Sequence, residues 1–168
     1  AVNKAHDLSH DDALKTLVIA TPVTVNGAKL KELITNLNAK DKTELLALPR
    51  LVNFAEKAEF ESENVKSYLK DELAKFDLSK FDFLVLGCTH FNYFKDSLRE
   101  ILPPNVSIID GNEGTVKRLI SELGLKISNV NLTPNVKFFY SGDEVCEQNE
   151  LEKISRNLAR LEKMRAIC

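Results

Sequence analysis

The sequence predicts an α/β fold in which a mainly parallel sheet is covered by helices. Three observations predict it. Short apolar runs alternate with amphipathic stretches along the whole chain. The runs are apolar at every position rather than at alternate ones, as in strands buried on both faces. Three of them end in polar, glycine-containing turns, beginning at Gly87, Asp110 and Ser141. In open parallel sheets, chemistry sits at the carboxyl ends of the strands.

The first dozen residues are polar and read as a tail or linker. Thr16-Leu17-Val18-Ile19-Ala20 is a short buried strand, stopped by Thr21-Pro22. A helical stretch follows with Leu30, Leu33, Ile34 and Leu37 on one face. Leu45-Leu46-Ala47-Leu48 is a second strand, because Pro49 argues against a helix running through it. Val52 to Glu56 begins a helix. Ser62 to Phe76 has the clearest helical periodicity, with Val65, Tyr68, Leu69, Leu73 and Phe76 on one face and charged residues on the other. Phe81 to Leu86 is a strongly apolar strand that ends in Gly87-Cys88-Thr89-His90. A helix with Phe94, Leu98 and Ile101 inward runs to Pro103-Pro104. Val106 to Ile109 is a strand. The next helix carries Val116, Leu119, Ile120 and Leu123, and Gly124 supplies its C′ stop. Asn129 to Asn135 reads as a loop and Val136 to Tyr140 as a last strand. Ser141-Gly142-Asp143-Glu144 then opens a terminal helix that contains Cys146 and the stripe Leu151, Ile154, Leu158, Leu161.

Composition narrows the function classes. The 168 residues are 43% hydrophobic and 29% charged, which suits one ordinary soluble domain or one domain with part of another. The net charge of −2 gives no electrostatic case for nucleic acid or an anionic membrane as the main partner. No apolar run approaches the ~20 residues of a membrane span. The three cysteines, Cys88, Cys146 and Cys168, are odd in number and far apart, and read as free thiols of a cytoplasmic protein.

Gly87-Cys88-Thr89-His90 is the leading candidate site. A cysteine directly after a buried strand faces the crevice at the carboxyl edge. The glycine lets another backbone or a substrate come close. The turn into the next helix leaves N–H groups of Thr89, His90 and Phe91 to bind an anion or favour a thiolate. His90 stands two residues on, where it can assist the thiol. The competing reading is an inert buried cysteine, since free cysteine is among the most buried residue types. The strand-end position, the glycine and the histidine favour the functional one.

The string Phe83-Leu84-Val85-Leu86-Gly87-Cys88-Thr89-His90-Phe91 closely resembles the second catalytic-cysteine motif of the glutamate racemases, in the aspartate/glutamate racemase superfamily. Other segments agree in order. Val18-Ile19-Ala20-Thr21-Pro22-Val23-Thr24 resembles the family's strand with a threonine-containing turn. Leu48 to Glu56 resembles its segment with Pro early and Glu late, and Phe138 to Asp143 its late strand ending in Ser-Gly-Asp. The resemblance covers about residues 14 to 160. Three departures stand out. Asn92 occupies a position where the family commonly has Pro. Gly27 and Leu30 stand where it often has Ser and Tyr. The family's Asp-Ser-Gly turn and its first cysteine, in a Cys-Asn-Thr turn, do not occur. The chain therefore resembles the C-terminal two-thirds of a glutamate racemase, either a piece of one or a shortened relative.

The resemblance implies a three-layer, parallel-sheet lobe over residues 13–110, and a segment, 111–168, that would complete a second lobe after the 1–12 tail. It implies a bacterial isomerase that interconverts L- and D-glutamate by two-cysteine proton transfer and supplies D-glutamate for peptidoglycan. Cys88 would be one acid/base and His90 its assistant, with Thr89 and Thr24 binding substrate. No nicotinamide, pyridoxal phosphate or metal is implied. This chain alone is expected to be inactive, and its apolar residues Val116, Leu119, Ile120 and Phe138 to lie exposed without the missing lobe. Glutamate is the expected partner, with no nucleic acid and no membrane, and with a homodimer left open. The alternative is a catalytically incomplete relative that binds an amino acid or a partner; a generic thiol enzyme is a weaker third.

The remaining signals favour structural readings. His6 and His10, four apart, could pinch a metal if helical, but a solvated tail is the simpler account. Asp110 with Glu113, and Ser141 with Glu144, each have capping-box spacing. Glu56 matches a family carboxylate but equally suits a solvated helix residue.

Overall fold

Four parallel strands carry the fold, and the computed structural model describes residues 1–8, 15–125 and 135–168 around them. In chain order the elements are α1 (Val2–Leu8), β1 (Thr16–Ala20), α2 (Pro22–Asn26), α3 (Ala28–Asn36), β2 (Thr43–Ala47), α4 (Pro49–Glu56), α5 (Glu63–Leu73), β3 (Phe83–Leu86), α6 (Lys95–Ile101), β4 (Ser107–Ile109), α7 (Asn112–Glu122), β5 (Phe139–Tyr140), β6 (Asp143–Glu144) and α8 (Gln148–Met164). A 3-10 segment, Thr89–Phe94, joins β3 to α6.

The sheet order is β2-β1-β3-β4, all parallel. The chain moves outward from β1 to β2, then returns past β1 to β3. The order therefore reverses between β1 and β3, and in open parallel sheets the ligand site lies at such a switch point, at the carboxyl ends of the strands. Both strands are buried at every residue. Alternate side chains serve opposite faces. Leu17, Ile19, Leu84, Leu86 and Ile108 join the larger core under α4, α5 and α6. Val18, Phe83, Val85 and Ile109 join a smaller core with Ala5, and Leu30 of α3 packs against it.

Local chemistry explains the boundaries. Pro49 sits in the first turn of α4, where its missing N–H costs nothing, so that helix starts three residues before the Val52 expected from sequence. Ser62 caps α5, accepting from the Val65 N–H at 3.3 Å. Gly124, at φ +59°, ends α7. The Leu125 N–H bonds the Ile120 carbonyl and the Gly124 N–H the Ser121 carbonyl, which is a Schellman closure.

Several expectations need correction. Residues 2–8 of the expected tail form a helix that buries Ala5. Asp110 is not the N-cap of α7. Gly111 is, without a side-chain bond; Asp110 serves the helix start from one residue further out, one carboxylate oxygen accepting from the Asn112 N–H at 2.8 Å while the other binds Lys95 at 2.7 Å. Ser141-Gly142 opens no helix. Both residues have positive φ, 51° and 99°, and turn β5 back onto β6 as an exposed antiparallel hairpin. Val136–Tyr140 thus adds no strand to the parallel sheet, and only Phe139–Tyr140 is strand. α8 begins at Gln148, so Cys146 lies exposed before it rather than within it. The loop expected over 129–135, apart from Asn135, lies outside the described residues.

α7 has no buried residue. Val116, Leu119 and Leu123 are 54%, 53% and 63% exposed, and Phe139 and Tyr140 of the hairpin are exposed too. Ile120 and Phe138, also expected to be exposed, are half-buried. α8 instead packs on the Thr89–Phe94 segment, burying Arg160 and Met164.

Candidate active site

The site is built where β1 and β3 end side by side. Gly87 follows β3 and donates its N–H to the Ile19 carbonyl of β1 at 2.8 Å. A Cβ added there would lie 2.9 Å from the Ala20 Cβ and 3.2 Å from the Ile19 carbonyl oxygen. Glycine is needed because the two strand ends approach so closely. Cys88, the next residue, is extended (φ −141°, ψ 136°) and half-buried. Its Sγ lies 3.9 Å from Nδ1 of His90, with which it forms a sulfur hydrogen bond. Thr89 is exposed at the mouth of the turn and His90 is half-buried.

Across the switch point, β1 is followed by Thr21, the N-cap of α2. The Thr21 hydroxyl accepts from the Thr24 N–H at 3.4 Å and shares a 3.0 Å hydrogen bond with the Thr24 hydroxyl. Thr24, Cys88, Thr89 and His90 are therefore held by adjacent strands at one edge of the sheet. One expectation changes. Of the three amides read as free, that of Phe91 is taken by the Cys88 carbonyl at 3.1 Å, because the chain enters a 3-10 turn rather than an α-helix.

Sequence reasoning missed the polar groups behind this turn. Asn92 is 6% exposed and donates from Nδ2 to the Thr89 carbonyl at 3.0 Å. Lys95, 4% exposed, bonds Asp110 at 2.7 Å and the Ile167 carbonyl at 3.0 Å. Burial pushes the Asp110 carboxyl up, but the bonds from Lys95 and the Asn112 N–H outweigh it and hold the group below its ordinary value. An open cleft of about 1180 Å³ is lined by Thr89, Asn92, Lys95, Asp110 and Asn112, with Leu158 of α8 on its far wall. The only signal in the sequence was that Asn92 departs from the family's Pro.

Other flagged residues do not join the site. Glu56 is exposed at the end of α4. His6 lies in α1, and its expected partner His10 is outside the described residues. Among the described residues no group of three or more His, Cys, Asp or Glu side chains could hold a metal ion. No helix among them is long and apolar enough to cross a membrane.

No family model matches the chain. Over all 168 residues it is 96% identical to a glutamate racemase of Campylobacter concisus, spanning 64% of that protein. It is 55% identical over 172 aligned residues to that of Campylobacter curvus, covering 98% of this chain and 63% of the relative. The chain belongs to the glutamate racemase family. It spans somewhat less than two-thirds of the length of these relatives. The crystal structure of the Campylobacter jejuni glutamate racemase matches its fold with a TM-score of 0.73 at 21% identity, over 92% of this chain and 58% of that one. A Francisella tularensis glutamate racemase in complex with D-glutamate matches at 0.60 and 25% identity, over 77% and 49%. An Escherichia coli glutamate racemase, solved with L-glutamate and an activator, matches in fold at 0.64 and 24% identity, over 80% and 50%.

Proposed function

We propose that this chain carries the Cys88 half of a cofactor-independent glutamate racemase. The observation that supports it most is the placement of Gly87-Cys88-Thr89-His90 at the switch point, with the thiol 3.9 Å from the His90 imidazole. Racemisation removes the Cα proton from one face of the amino acid and returns a proton to the other. Thiols suit both roles because their ordinary pKa, about 8.5, lies near working pH. As thiolate, Cys88 takes the Cα proton of one enantiomer. As thiol, it protonates the planar carbanion formed from the other. His90 holds or passes the thiol proton. Thr89 and Thr24 bind glutamate, and donors on its carboxylate lower the cost of the carbanion. The acid/base for the opposite face lies outside this chain, which has neither an Asp-Ser-Gly nor a Cys-Asn-Thr turn.

The proposal places the protein in the bacterial cytoplasm, making D-glutamate for peptidoglycan. Residues 13–110 would be the Cys88 lobe, and 111–168 would return to complete the other lobe. A second copy of the chain would be its macromolecular partner, which sedimentation tests. The missing turns equally fit a relative that binds an amino acid without turning it over.

Cα-proton exchange of L- and D-glutamate in deuterated water, followed by NMR, tests the reading. The chain alone should not invert glutamate. Joined to the upstream third of the Campylobacter concisus relative it should, and Cys88→Ala should abolish inversion. Inversion by the chain alone would overturn the half-site reading. Silence of the joined protein would overturn racemase activity in favour of the binding relative.

A further inference from the structure

We infer that Asn92 is a positioning residue for the Cys88-Thr89-His90 turn, and that Asn112 at the start of α7 holds it in place. The inference rests on the racemase reading for its consequence in catalysis, but not for its geometry. Thr89 is exposed and sits in a 3-10 turn, an intrinsically weak element. The Asn92 side chain donates to the Thr89 carbonyl at 3.0 Å. Its Oδ1 in turn accepts from Nδ2 of Asn112 at 3.4 Å. The Asn112 N–H is bonded to Oδ1 of Asp110 at 2.8 Å, and Oδ2 of Asp110 to Lys95 at 2.7 Å. Lys95 stands three residues after Asn92, so the bonds close a ring through β4's end and the first residue of α7. Both ends of the Asn92 amide are thereby used, which fixes which way it points. A change in how α7 sits moves Asn112, then Asn92, then the Thr89 peptide whose carbonyl Asn92 holds.

Two readouts test this. In the chain itself, Asn92→Ala should speed exchange of the Phe91 amide by about tenfold while the β3 amides keep their protection. Asn92→Asp keeps size and acceptor but cannot donate, and should behave like Asn92→Ala. Asn112→Ala should give a smaller effect of the same kind, and the double variant should be no worse than Asn92→Ala. In the protein joined to the upstream third of its relative, Asn92→Ala should raise KM for glutamate by about tenfold with kcat changed by less than about threefold. Unchanged Phe91 exchange, wild-type behaviour of Asn92→Asp, or additive effects would overturn the inference. If Asn92→Ala does not fold, Asn112→Ala decides by the same exchange measurement. An inactive joined wild type would overturn the racemase reading instead, while exchange still decides the role of Asn92.

Discussion

Replacing Arg160 by alanine should loosen α8 from the lobe that carries Cys88. The Arg160 side chain is 8% exposed. Nε and Nη2 both donate to the Tyr93 carbonyl, at 3.0 and 2.8 Å. Nη1 reaches Glu61 and Nη2 reaches Asp96, each at 2.7 Å. The guanidinium also lies 5.5 Å over the Phe60 ring, which stacks on Tyr93. Removing one partner of a fully buried ion pair costs about 3–5 kcal/mol. Glu61 is 58% exposed, so that arm contributes at most ~1 kcal/mol. Asp96 is 24% exposed and supplies more. Orphaning the Tyr93 carbonyl adds about 1–3 kcal/mol. A loss of about 3 kcal/mol is the balanced expectation, a drop of about 6–12 °C in Tm for a chain of this size. Differential scanning calorimetry reads it directly. Arg160→Lys keeps the charge but not the paired donation, and should recover about half of the loss. A Tm for Arg160→Ala within about 1 °C of wild type would refute the reasoning, because the guanidinium would then hold nothing that water does not replace.

Gly87→Ala should cost about 1–3 kcal/mol by overpacking, read as a lower urea midpoint, and adding Ala20→Gly should return most of it. Asp110 has a folded pKa below its ordinary 3.8, so its stabilisation is present above that value and lost as pH falls through the depressed one. The stability difference between wild type and Asp110→Asn, from urea titrations, should hold constant above about pH 5 and shrink in acid. Glu113, bonded by Lys117 and Lys4, should titrate at about 2 by carbon-detected NMR, and about 1 M salt should move it back toward 4.5. The exposed Val116, Leu119 and Leu123 should make the chain associate as its concentration rises in sedimentation, and Leu119→Lys should suppress this. A concentration-independent monomer would count against that.

What the sequence could show, and what it could not, divides by the range of the interaction. β1 and β3 are legible because a strand buried on both faces must be apolar at every position, and composition alone reports that. α5 is legible because its stripe repeats at steps of three and four residues and its Ser62 cap bonds the N–H three residues on. The Gly87–His90 turn is legible for the same reason, since strand, glycine, cysteine and histidine are consecutive. Ser141-Gly142-Asp143-Glu144 shows where local reading fails. The same residue types suit a helix cap and a tight hairpin, and what decides between them is backbone φ at Ser141 and Gly142. Asp110 fails differently. Its spacing to Glu113 fits a capping box, but a lysine fifteen residues earlier takes one carboxylate oxygen, and the other meets the first N–H of α7 from one residue outside the cap. In the sequence Arg160 stands among Lys153, Arg156, Lys163 and Arg165, interleaved with acids as on a solvated face, yet its partners lie 64, 67 and 99 residues away. Those distant bonds brace the Thr89–Phe94 segment from behind. The chemistry is therefore written locally, while the rigidity that would make it useful is written across the chain.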